Sequence, residues 1–139
     1  MKIIAIIVTG IVTGILVARL SLICFPLIRV SGDSMYPTLK EGKILIGCRL
    51  FNKKKCRLGK LYIVHLRDEE SGEPYFVIKR LRYATFEKKE GKISKAYYDF
   101  RGDNTEVSYD SRHYGLVPSD KVEAIVLGHF PNLYEKGAK

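Results

Sequence analysis

Sixteen consecutive uncharged residues, Ile3 to Ala18, constrain this chain more than any other feature. Only Thr9, Gly10, Thr13 and Gly14 interrupt the apolar run. After Arg19 a second apolar stretch reaches from Leu20 to Ile28, broken by Ser21 and Pro26. A bilayer-crossing helix needs about 20 mostly apolar residues. Ile3 to about Leu22 supplies them, with Arg19 near enough to one end to snorkel. Pro26 then ends or kinks the helix. A cleaved export signal would also begin with Lys2 and an apolar run, but no small-x-small cleavage site precedes Arg19. A lipoprotein signal needs a small residue before its cysteine, and Ile23 precedes Cys24. A buried core helix is disfavoured by apolarity on every side. The expectation is a retained membrane anchor over residues 1–28. Gly10 and Gly14 stand at GxxxG spacing, a pattern that ordinary apolar helices also carry.

Residues 29–139 have the length of one modest domain. Lys and Arg number 24 against 15 Asp and Glu, a formal charge of +9. That balance suits an anionic neighbour: lipid head groups, nucleic acid or an acidic protein. It does not decide which side of a membrane the domain occupies, because long domains translocate largely regardless of charge. Three cysteines are too few for a disulfide framework and lack zinc-ligand spacing. A multidomain enzyme, a polytopic transporter and a cysteine-stapled miniprotein are excluded.

Beyond Val30 the pattern changes to short runs rich in Ile, Val, Tyr and Phe: Lys43–Gly47, Leu61–Leu66, Tyr75–Leu81, Lys92–Phe100 and Val122–Leu127. Turn material separates them at Glu41-Gly42, Ser71-Gly72-Glu73-Pro74, Glu90-Gly91 and Gly102-Asp103-Asn104. This is the signature of a small antiparallel all-β domain. Pro131 to Lys139 is expected to be a frayed end.

Three segments look unlike ordinary β-protein sequence. One is Ser31-Gly32-Asp33-Ser34-Met35-Tyr36-Pro37-Thr38-Leu39. Another is Val77-Ile78-Lys79-Arg80. The third runs from Gly102-Asp103-Asn104 through Ser108-Tyr109-Asp110-Ser111-Arg112 to Gly115-Leu116-Val117-Pro118. In a strand, Val77, Lys79 and Leu81 share one face, which puts Lys79 inside an apolar stripe. Burial disfavours the ammonium form and lowers its pKa. Bringing a lysine from about 10.4 to about 8 costs roughly 3 kcal/mol, and the neutral amine so produced can act as a general base. A snorkelling or edge-strand lysine fits the same pattern. Ser34 is either a turn serine or an exposed nucleophile. His65, His113 and His129 read as structural or solvent-facing, which leaves a Ser–Lys pair as the economical nucleophile and base.

Taken in order behind the apolar run, these segments resemble bacterial type I signal peptidases, or leader peptidases, the membrane-bound serine proteases of the Ser–Lys class. The resemblance covers the whole chain. It implies that Ser34 is the nucleophile and Lys79 the general base. Ser108 matches the serine that orients the lysine. Asp110 and Arg112 match a supporting ion pair, Asp103 and Arg80 a second one, and Met35 the residue beside the nucleophile. The implied fold is two antiparallel β-sheets. The implied substrates are exported preproteins with small residues at the first and third positions before the cut. The catalytic domain would lie on the extracytoplasmic side, with no metal or cofactor.

The chain departs from the family pattern at several points. Gly32 stands two before Ser34, where some members place a serine, so the oxyanion would rest mainly on backbone N–H groups, including that of Ser34. Gly59-Lys60-Leu61 replaces the common Gly-Asp-Ile, and Arg82-Tyr83-Ala84 replaces a Gly-x-Pro-Gly-Asp turn. The basic cluster Arg49, Lys53, Lys54, Lys55, Arg57 and Lys60 reads either as a head-group contact or as a solvated hairpin tip. Cys48 and Cys56 enclose only Arg49 to Lys55 of this cluster, and two free thiols are favoured over a bridge. Two other functions compete. One is a dedicated maturation peptidase for a pilus or conjugation client. The other is a membrane-anchored basic β module for anionic lipid or nucleic acid. The second leaves the ordered boxes unexplained, so no nucleic acid partner is expected.

Overall fold

A computed structural model describes residues 1–68 and 70–129 of the chain. The expected frayed end at 131–139 lies outside the described residues. The apolar run forms helix α1 (Lys2–Cys24), with every residue exposed except the half-buried Cys24. At about 1.5 Å per residue it is about 35 Å long, against a hydrocarbon core of about 30 Å. α1 is therefore long and apolar enough to cross a membrane. Its three hydroxyls are satisfied internally: Thr9, Thr13 and Ser21 donate to the carbonyls of Ala5, Thr9 and Val17 at 2.8, 2.8 and 2.9 Å. Such back-bonding removes the cost of bare hydroxyls in hydrocarbon. The helix ends as expected, with Phe25 N–H closing on Ser21 O just before Pro26.

The remainder is antiparallel β-structure: β1 (Leu27–Arg29), β2 (Ile44–Cys48), β3 (Leu61–Arg67), β4 (Pro74–Lys89), β5 (Lys92–Arg101), β6 (Val117–Pro118) and β7 (Val122–His129). A one-turn helix, α2 (Ser111–Tyr114), precedes β6. The strands hydrogen-bond in the order β1-β2-β7-β3-β4-β5-β6. Two separate sheets were expected, whereas one continuous ladder joins all seven. The reason lies in β4. Its sixteen residues pair with β3 through Pro74 to Arg80 and with β5 through Arg80 to Lys89, so one strand bridges both halves. A register shift between Leu81 and Tyr83 bends it at the changeover. β4 and β5 meet at a two-residue tip, where Glu90 (φ 52°) and Gly91 (φ 75°) both adopt the left-handed backbone of a type I′ hairpin.

The larger core cluster packs Tyr62, Val64, Leu81, Tyr98, Phe100 and Val122 with their smaller neighbours. Two tyrosine hydroxyls in it pin the basic loop between β2 and β3. Tyr98 donates to Lys53 O at 2.7 Å, and Tyr62 accepts from Arg57 N at 2.8 Å. The second cluster, Val30, Met35, Leu39 and Leu45, sits beneath the segment that carries Ser34. Within the basic cluster, Arg49 is committed to the fold. Its side chain donates to Ile23 O at 3.0 Å and pairs with Glu123 at 2.8 Å, while its N–H donates to Cys24 O at 2.9 Å. Cys48 and Cys56 are unbridged thiols.

Candidate functional site

Strand alternation places Lys79 as the sequence pattern anticipated. Lys79 is only 3% exposed, beside fully buried Leu81. Its amine donates to Ser108 Oγ at 3.0 Å. Ser108, 4% exposed, donates in turn to Asp110 Oδ2 at 2.8 Å. Asp110 is wholly buried and ends the relay. Its carboxylate accepts from Gly102 N at 3.0 Å, from Arg112 N at 3.2 Å, and from Arg112 Nε and Nη2, both at 2.9 Å. Asp110 also caps α2, in a reciprocal box where its own N–H donates to His113 Nδ1 at 3.2 Å.

The electrostatics follow from these contacts. Burial pushes the Lys79 pKa down; the Asp110 charge opposes this and Arg112 reinforces it. Asp110 behaves differently. Burial alone would raise its pKa, but hydrogen bonds from Arg112, Gly102 N–H and Ser108 overcome that and hold the carboxyl well below the usual range. The arrangement is a permanently ionised carboxylate two hydrogen bonds away from an amine that resists its charge.

Ser34 is brought to the same neighbourhood by backbone. Its carbonyl accepts from Asn104 N at 3.0 Å, and Asn104 O accepts from Ser108 N at 3.1 Å. Gly102 lies between the two serines. A Cβ at this position would fall on the Ser108 side chain and on Ser34 O, so only glycine lets these segments close together. Met35 is 2% exposed and plugs the second core cluster, fixing the segment at the residue after Ser34. Burying such a side chain contributes about 2 kcal/mol. Among the described residues, Ser34 Oγ forms no hydrogen bond, and the Lys79 amine is engaged with Ser108 rather than with Ser34.

The second expected ion pair is also formed. Arg80 binds Asp103 through Nε at 2.8 Å and Nη2 at 2.5 Å. Asp103 further accepts from Thr38 Oγ1 at 2.7 Å and from Arg82 Nη2 at 3.2 Å. The Arg80 hydrogen bonds depress the Asp103 pKa against the effect of burial, with Thr38 adding to them. Sequence reasoning had not given roles to Thr38, Arg82 or Gly102. Thr38 and Gly102 were legible only as members of their boxes, and Arg82 only as a departure. His65 stacks on Phe76 (5.0 Å between centroids) and His113 on Tyr109 (4.8 Å), consistent with structural roles.

A cleft of about 150 Å³ opens at Ser34, lined by Val30, Met35, Ile63, Phe76, Val77 and Ile78 among others. Beside it, residues 74–79 of β4 pair with β3 on one edge, and β5 begins pairing only at Arg80. The opposite edge of this stretch therefore has no strand partner among the described residues. No group of His, Cys, Asp or Glu that could hold a metal ion occurs among the described residues. The chain matches no protein-family model and no curated protein.

Proposed function

We propose that this chain is a membrane-anchored serine endopeptidase of the type I signal peptidase kind, cutting exported preproteins on the extracytoplasmic side. The observation that carries the reading is Lys79: a buried amine, kept from charging by burial, held by Ser108, and set beside the Ser34 segment across Gly102. A two-sheet grouping of the family type would correspond here to the two halves of the sheet that β4 joins.

In the proposed reaction the substrate lies extended along the open edge of β4, using main-chain hydrogen bonds. Small side chains before the cut enter the apolar cleft at Ser34. Neutral Lys79 takes the Ser34 proton as Oγ attacks the scissile carbonyl. This requires the lysine amine to turn from Ser108 toward Ser34 when substrate arrives. The Ser34 N–H makes no hydrogen bond among the described residues and is free to receive the oxyanion. Protonated Lys79 then passes its proton to the leaving amine, and water, activated by the same lysine, hydrolyses the ester. Anchor and substrate leader share one bilayer, which raises the effective concentration of the scissile bond. Ser34→Ala and Lys79→Ala, tested as full chains in lipid, should each fold and fail to convert a preprotein to its mature form, a loss of about a thousandfold or more. Full processing by either variant would end the reading.

A further inference from the structure

A second cavity lies apart from the cleft at Ser34. It is a separate cleft of about 460 Å³, lined by His65, Tyr75, Tyr109, Tyr114 and Leu116 among others. Tyr109 lies between Ser108 and Asp110, and Tyr114 ends α2, the helix that Asp110 caps. Tyr109 is more than half exposed and its ring lies 5.7 Å from that of Tyr114. Tyr114 Oη is buried beside Ser111 Oγ, which accepts from Phe100 N.

The two clefts follow one another along β4. Phe76 to Ile78 line the first and Tyr75 lines the second, and the His65–Phe76 stack stands between them. Tyr75 to Ile78 lie in the stretch of β4 whose outer edge pairs with no strand among the described residues. An extended chain paired to that edge would cover the distance from Lys79 to Tyr75 in about 13 Å, at about 3.3 Å per residue. Its next residues would then enter the tyrosine-lined cleft.

We propose that this cleft is an accessory recognition site for the substrate polypeptide, taking an aromatic side chain about four to six residues from the cleaved bond. The inference rests on the peptidase reading for the identity of its ligand. Three tyrosines and a histidine in its lining suit an aromatic guest, packed offset or edge-on.

The test uses the full chain in nanodiscs and matched peptides with Ala-x-Ala before the cut. Tyrosine replaces alanine four to six residues away, on the leader side or on the mature side. On one side KM should fall about tenfold with kcat little changed. Leu116→Ala and Leu116→Glu should abolish that gain while still cutting the all-alanine peptide. An equal KM for all peptides, or a gain that survives both substitutions, would overturn the accessory site. The chain contains no tryptophan, so a peptide carrying one at the same position gives an independent signal on the Ser34→Ala protein. Its emission should shift to the blue on binding, and an unshifted spectrum at saturation would also reject the site. Failure to cut even the all-alanine peptide would instead strike the peptidase reading, and the tryptophan signal would still decide whether the cleft takes an aromatic peptide.

Discussion

Helix α1 and the surroundings of Lys79 invert the usual distribution of polarity in opposite senses. In α1, twenty-three mostly apolar residues run along the outside of the protein, and none is buried. Around Lys79, an amine, a hydroxyl and a carboxylate lie inside, each less than 5% exposed. The first arrangement is stable only if the surrounding solvent is itself apolar. The second is stable only if each buried polar group meets a partner. One inversion is settled by the environment and the other by geometry, so substitutions should disturb them independently.

The largest effect is expected where geometry does the most. Asp110→Ala leaves Gly102 N–H, Ser108 and Arg112 without their acceptor and should cost about 3–5 kcal/mol, read as a lowered denaturation midpoint. In the intact protein the Asp110 pKa is depressed on folding. Its contribution is therefore complete above the ordinary carboxylate range and should be lost progressively as pH falls from about 4 toward the depressed pKa. Next comes the environment. Ile11→Lys, midway along α1, should raise the insertion cost by about 3 kcal/mol and move the protein to the soluble fraction. The melting transition of the β-domain should be unchanged. A shift in that transition would show the two regions to be coupled.

A smaller effect concerns the charge state of Lys79. Below its depressed pKa the neutral fraction drops tenfold per pH unit, so kcat/KM should fall with slope one toward acid. A flat profile into acid would contradict a lysine base. Smallest is Thr38→Val, which removes one hydrogen bond to Asp103. It should cost about 1 kcal/mol and leave the slope of the pH profile unaltered.

Much of this was legible beforehand, for reasons that differ by residue. The period-two pattern of Val77, Lys79 and Leu81 put the lysine in an apolar stripe because strand alternation is geometric, but the same pattern fitted a snorkelling lysine equally well. The apolar run foretold α1 almost to its last residue. β1 was missed because three residues after a proline carry no periodicity. The outer half of β4 was missed because Arg82 to Lys89 is largely polar, a ribbon with little core to face. The tight approach at Gly102 joins residues distant in sequence, and local pattern carries no trace of that. The Cys48 and Cys56 thiols came out unbridged, as favoured, each with its sulfur turned to a carbonyl of its own loop.

Arg49 fastens the last carbonyls of α1 to Glu123 on β7, a strand near the middle of the sheet. The helix is thus not a slack tether. Where a bilayer is thin enough to make α1 lean, the sheet leans with it, and the mouth of the Ser34 cleft swings through the same arc. Lipid thickness would then set the angle at which that cleft meets the membrane surface.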